Sequence, residues 1–157
     1  MSMSMRLIVA AALLCLLFSS CGPTVVYEQE YDIEDSGWAY TDSLSFGFNI
    51  KDIALSYDYL LDVAHDAYFP HQNFYIKLHT RFPSGKRSSQ QLSLQLADNF
   101  GQWHGDCGGE KCTLSIPILR NARFESAGYY SLTVEQHTRD NPLQDISSVG
   151  LRVVVAE

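Results

Sequence analysis

The chain has 157 residues and a formal charge of −7, with 18 Asp/Glu against 11 Lys/Arg. That length suits one domain with a real core. The acidic balance and the scatter of Lys and Arg exclude a nucleic-acid footprint and argue against electrostatic adhesion to an anionic membrane surface, which takes cationic clusters.

The chain opens with Arg6 as the only charge before Cys21, an unbroken apolar run from Leu7 to Phe18, and Ser19-Ser20-Cys21-Gly22. A positive start, a short apolar stretch and small residues make a secretory signal. The run is too short to span a bilayer, which takes about 20 residues. The small pair ahead of the cysteine resembles the lipobox of bacterial lipoproteins, in which that cysteine is acylated and becomes the new N-terminus. The expected organisation is a signal peptide over 1–20, lipidated Cys21 and a lead-in over 21–36, and a folded domain over 37–157. An ordinary cleaved signal, with Cys21 a spare thiol, is the alternative. Each buried CH₂ of an acyl chain contributes ~0.8 kcal/mol, so stable anchoring takes more than one chain. Membrane attachment therefore rests on the lipid.

Period-two alternation dominates the mature chain. Val25 to Tyr31 is a candidate strand, and Leu44, Phe46, Phe48 and Ile50 alternate with polar residues and Gly47. Tyr57, Tyr59 and Leu61 come next, then Phe74, Ile76 and Leu78, then Leu92, Leu94 and Leu96. The last runs are Leu114–Ile118, Tyr130–Val134 and Val149–Val155. Each reads as a half-buried strand. Turn signals such as Phe82-Pro83-Ser84-Gly85-Lys86 and Asp140-Asn141-Pro142 separate them. Residues 119–126 allow one helical turn at most. Short strands at this spacing predict an all-β fold, a single antiparallel β-sandwich, immunoglobulin-like or jelly-roll-like. Tyr130, two residues before the inward Leu132, is placed to make a tyrosine corner, with its hydroxyl bonded to nearby backbone.

Of the four cysteines, Cys15 leaves with the signal and Cys21 takes the lipid. Cys107 and Cys112 remain, and an exported, oxidising compartment favours a disulfide between them. A loop so short gains only ~2–3 kcal/mol from the bond. A metal or redox site is the alternative, but only His104 lies nearby, whereas structural zinc takes four ligands.

Catalytic signatures are missing from the sequence. There is no nucleophile elbow, no H-E-x-x-H and no P-loop. The five histidines (65, 71, 79, 104 and 137) show no ligand spacing. The acidic run Glu28, Glu30, Asp32, Glu34 and Asp35 lacks the closing glutamate of a calcium loop, since Ser43 stands at position twelve from Asp32. Asp58, Asp62 and Asp66 suit acid–base work, but nothing positions a partner against them. The chain is expected to be no enzyme, with no cofactor and no metal. Loop aromatics fit recognition better, because interface hot spots favour Trp, Tyr and Arg. Trp38, Tyr40, Tyr68, Phe69 and Trp103 lie in or next to expected loops, and of these Trp38, Tyr68 and Trp103 are candidate partner-binding residues, with Arg139 and Arg152 expected to make structural or interface pairs. His71-Gln72-Asn73 offers a loop hydrogen-bond network.

Four stretches carry a family likeness. One is the lipobox cysteine and tyrosine-bearing acidic segment into Ser36-Gly37-Trp38 and Leu44–Ile50. Another is Tyr68-Phe69-Pro70-His71-Gln72-Asn73-Phe74-Tyr75-Ile76 running into Phe82–Lys86. The third is Leu96-Ala97-Asp98 with Gly101-Gln102-Trp103-His104-Gly105. The last is Gly128-Tyr129-Tyr130 with Gln136, Arg139, Pro142-Leu143, Ile146 and Val149-Gly150-Leu151-Arg152-Val153. In this order and spacing the chain resembles GldH, the gliding-motility-associated lipoproteins of the Bacteroidetes. Two departures stand out: the Cys107–Cys112 loop replaces a Gly/Asp-rich turn, and Phe69-Pro70-His71 stands where aromatic-Pro-aromatic is usual.

The resemblance implies a lipid-anchored cell-envelope component of the gliding machinery, which is tied to type IX secretion. It implies contacts with other envelope proteins and supplies no catalytic mechanism. No acidic run follows Gly22 before Glu28, which favours a periplasm-facing domain over surface export and leaves the choice of membrane open. A glycan-binding sandwich is the alternative. A flat row of Trp38, Tyr68 and Trp103 would favour sugar, whereas scattered or buried rings would favour a protein scaffold.

Overall fold

The computed structural model describes residues 22–157. The expected signal over 1–20 and the acylation candidate Cys21 lie outside the described residues. Nine strands follow in chain order: β1 (Val25–Asp32), β2 (Leu44–Ile50), β3 (Tyr57–Asp66), β4 (Asn73–Arg81), β5 (Arg87–Gln95), β6 (Asp106–Gly108), β7 (Lys111–Ala122), β8 (Gly128–Gln136) and β9 (Ile146–Val155). They form two antiparallel sheets, ordered β1-β9-β3-β7-β6 and β2-β8-β4-β5.

The pairing is nested. β1 bonds to β9, β2 to β8, β3 to β7 and β4 to β5. β3 also lies against β9, and β4 against β8. The chain is in effect one long hairpin, reversed at the turn where Phe82 N–H bonds Lys86 O at 2.9 Å. It is then rolled so that successive pairs fall into alternate sheets. That is the jelly-roll arrangement. An immunoglobulin sandwich would instead set its first, second, fifth and fourth strands side by side. The tyrosine corner is present all the same: Tyr130 Oη donates to Ser126 O at 2.8 Å. A local corner thus forms without immunoglobulin topology.

Inward residues of both sheets make one core. Phe46, Leu61, Ile76, Val134, Leu151 and Val153 are wholly buried, each contributing roughly 1.5–3 kcal/mol over an exposed side chain. The segment expected to be a lead-in contributes a strand, so the sandwich begins at Val25 rather than at residue 37. Tyr27 and Tyr31 turn inward against Phe48 and Phe46, with ring centroids 5.4 and 5.2 Å apart. Glu28, Glu30 and Asp32 face water between them. Residues 119–122 continue β7 rather than forming a helical turn.

The roll gives the sandwich two unlike ends. At one end Thr24 O accepts from Val155 N–H, and Ser56 O accepts from Ala156 N–H, both at 2.8 Å. Loops 51–56, 82–86 and 123–127 gather there, with Pro83 against Gly128 and Tyr57 against Phe124. This end holds the start of β1 and is called the near pole. Loops 33–43, 67–72, 96–105 and 137–145 gather at the far pole.

Candidate functional site

The far-pole loops brace one another. Gly37, at φ 90°, turns loop 33–43 inward at a position where any Cβ would lie 2.9 Å from Leu143 O. Trp38 then pairs with Leu143 through two backbone hydrogen bonds of 2.8 and 2.9 Å. Its indole N–H donates to Asp42 O at 2.6 Å, and its ring stands edge-on to Phe74. Only 1% of Trp38 is exposed, so this expected partner anchor is a core pillar. An indole buries too much apolar area, beside the core of β4, to be left in water.

Trp103 is half-buried. Its indole N–H donates to Ala67 O at 3.0 Å, and its ring lies 4.6 Å from that of His65. It ties loop 96–105 to loop 67–72, and Leu96 and Ala97 N–H both donate to Gln72 O in the same joint. His65 is wholly buried, with Nδ1 2.8 Å from Asp66 O and Nε2 without a hydrogen-bond partner, enclosed by Phe69 and Trp103.

On this frame sit exposed rings. Tyr68 is 79% exposed and Phe100 97%, on the two loops that Trp103 and Gln72 join. The Asp98 carboxylate accepts backbone N–H from Phe100 and Gln102 at 2.8 and 2.9 Å. These bonds hold its pKa below the usual value, that from Gln102 foremost. They also fix the turn that displays Phe100. Tyr40 is half-exposed, its N–H donating to Asn141 Oδ1 and its hydroxyl to Thr138 O.

Beside the rings a recess of about 540 Å³ is lined by His71, Asn73, Tyr75, Gln91, His137 and Arg139. His71 Nε2 lies 3.0 Å from Asp140 Oδ2, bridging loops 67–72 and 137–145. Arg139 is exposed and makes no ion pair among the described residues. The recess can offer hydrogen bonds to amide or carboxylate groups.

Arg152 lies elsewhere, on the outer face of the five-stranded sheet. Its Nε and Nη2 donate to the Asp62 carboxylate at 2.6 and 2.8 Å, and Nη2 also bonds Ser115 Oγ. The Asp62 hydrogen bonds raise its pKa further. A hollow of about 590 Å³ beside it is walled by Glu28, Glu30, Asp62, Asp106, Ser115 and Arg152. The other two carboxylates weighed for acid–base work are also engaged. Asp58 accepts from Asn121 N–H at 2.7 Å and Asp66 from Tyr68 N–H at 2.7 Å. Asp58, Asp62 and Asp66 therefore each hold a local structure rather than face one another.

Cys107 and Cys112 are joined by a disulfide between directly opposed residues of the β6–β7 hairpin. With Ala67 N–H donating to Glu110 O at 2.7 Å, it fixes that hairpin against loop 67–72. Among the described residues no cluster of His, Cys, Asp and Glu could hold a metal ion. Phe100 escaped sequence reasoning, whereas Tyr40 is one of the loop aromatics the sequence offers and is exposed as expected of an anchor. A lone Phe in Asp98-Asn99-Phe100-Gly101 carries no mark of exposure, although the Asx turn around it is readable.

Two comparisons bear on identity. The family model described as GldH lipoprotein matches residues 25–153. A protein of Christiangramia forsetii, named gliding motility lipoprotein GldH homolog, is 25% identical over 145 residues, covering 88% of each chain.

Proposed function

The chain belongs to the GldH lipoprotein family, which makes it a membrane-anchored protein of the cell envelope, and from that premise we propose that it is a non-enzymatic scaffold of the gliding machinery, docking other envelope proteins at its far pole. Cys21 carries the lipid, the domain faces the periplasm, and the link to type IX secretion runs through the docked partner. One observation carries this reading: Tyr68 and Phe100 are 79% and 97% exposed on loops braced by the hydrogen bonds of the half-buried Trp103 indole and of the Asp98 turn. Large rings on a braced support lose little entropy on binding and are the usual hot spots of protein interfaces. Arg139 and the His71–Asp140 pair supply a polar rim.

The glycan reading is the weaker one. Trp38 is in the core and the Trp103 indole N–H is spent on Ala67, so the three rings make no open row for stacking.

Photo-crosslinking in cells tests the proposal. A photoreactive residue at Tyr68 or Phe100 is expected to capture discrete envelope proteins, and one at exposed Ser88 on the edge strand is not. Capture at Ser88 alone, or binding of polysaccharide by the purified protein with no protein adduct from 68 or 100, overturns it.

A further inference from the structure

We propose that the near pole is a second binding surface, one that lies flat against an anionic phospholipid membrane and sets the orientation of the tethered domain. The inference rests on Cys21 being the lipidated residue and is independent of what the far pole binds. Lys and Arg are scattered through the sequence, and the fold gathers them. Of the ten Lys and Arg in the described residues, six sit at the near pole: Lys51, Arg81, Lys86, Arg87, Arg120 and Arg123. Lys51 follows β2 directly, Arg81 and Arg87 face each other at the base of the β4–β5 hairpin, Lys86 is in its turn, and Arg120 and Arg123 flank the end of β7. All six are exposed, and none makes an ion pair among the described residues.

The carboxylates run the other way. Of the 18 Asp/Glu, only Asp52, Asp58, Glu125 and Glu157 belong to this end. Asp52 Oδ1 accepts from Ala54 N–H, and Asp58 is held by Asn121. The remaining fourteen lie in the middle and at the far pole, so the molecule is polarised along its length.

Apolar exposure is sorted in the same sense. Every large aliphatic side chain exposed among the described residues is at or beside the near pole: Val25 45%, Val26 43%, Ile53 47%, Leu55 39% and Leu119 40%. The rings exposed at the far pole and its rim, Tyr40, Tyr68, Tyr75 and Phe100, are aromatic. Tyr129, 58% exposed, lies across Gly47 on the near-pole half of the four-stranded sheet. Aliphatic tips beside unpaired cations match the apolar boundary and the anionic headgroups of a lipid surface.

The tether fixes the distance. Four residues from Cys21 to Val25 span at most ~14 Å fully extended, less than two screening lengths of ~8 Å at physiological ionic strength. Docking is then intramolecular, so a modest attraction suffices. A pole held so near a negatively charged leaflet turns its cations toward it and its carboxylates away. The far pole is thereby aimed off the membrane, where a partner can reach it.

The test uses the acylated full chain, its N-terminal modification verified by mass, in vesicles of phosphatidylcholine with or without phosphatidylglycerol. A fluorophore is attached at Leu55→Cys, with Ala54→Cys as a second site, or at Phe100→Cys. A bilayer-resident nitroxide lipid is expected to quench the label at 55 or 54 several-fold more than that at 100. The contrast should be greatest with phosphatidylglycerol, weaken in high salt, and fall in Lys51→Glu/Arg123→Glu. Equal quenching at both poles in both vesicles, or crosslinks from 55 to a second copy or another protein in place of lipid quenching, overturns the inference. Failure of far-pole docking leaves these readings unchanged, which keeps the two claims separate.

Discussion

The near pole exposes aliphatic tips and unpaired cations, whereas the far pole exposes aromatic rings among carboxylates. Their loops differ in support as well. Near-pole loops are short turns held by the strands they join. Far-pole loops are longer and are tied to one another by Trp38–Leu143, Trp103–Ala67 and His71–Asp140. Exposure alone therefore does not mark a docking surface; the rigidity behind an exposed ring and the charge around it decide what it suits. A membrane accepts a loosely shaped, charged, greasy surface, whereas a protein partner rewards fixed rings.

Substitutions at each pole put that contrast at risk. The largest effect is expected at the far-pole pillar: Trp38→Ala should cost ~3–5 kcal/mol by urea denaturation, from lost burial and a residual cavity. A change below about 1 kcal/mol, by the same urea measurement, would mean the far-pole loops stand without it. Next, Cys107→Ser/Cys112→Ser should cost about 2 kcal/mol on the chain-entropy model, and should loosen loop 67–72 as read by hydrogen exchange at Ala67. A double-mutant cycle on Asp62 and Arg152 should give a coupling of about 1 kcal/mol. Both side chains are near one-third exposed, so the value is held low by solvent screening. Phe100→Ala should change stability by less than ~0.5 kcal/mol while removing the crosslinks assigned to the far pole.

The smallest effect is electrostatic and local. Backbone N–H groups depress the Asp98 pKa below its ordinary 3.8. A depressed carboxyl contributes stability that is present above the unfolded value and is lost as pH falls through the folded one. Protection of the Phe100 and Gln102 amides, taken relative to intrinsic exchange at each pH, should therefore fall below about pH 3.8, with neutral-pH protection intact. Asp98→Asn should remove that pH dependence, and unchanged protection across the range would show that the carboxylate does not hold the turn.

Much of this molecule is legible in its sequence because strand alternation is local. Leu44–Ile50, Phe74–Leu78 and Val149–Val155 announce themselves by period two, and the Phe82–Lys86 turn by its Pro and Gly. β1 is harder to read, since its outward acids dominate its inward tyrosines. The rings of the far pole are recognisable as a class but cannot be sorted. Nothing local distinguishes Trp38, sealed in the core, from Tyr68 in water, because burial depends on what the other sheet brings over it. Arg152 is expected to find a pair, but only the β3–β9 register names Asp62.

An exported β-sandwich, its family and most of its strands follow from residue order, because hydrophobic periodicity and segment order are properties of neighbouring residues. The jelly-roll pairing, the choice of which aromatics stay wet, and the gathering of dispersed cations and aliphatic tips at the pole where β1 starts arise only on folding. Those outcomes depend on contacts between residues far apart in the chain, and no local pattern encodes which loops the roll will bring to the same end.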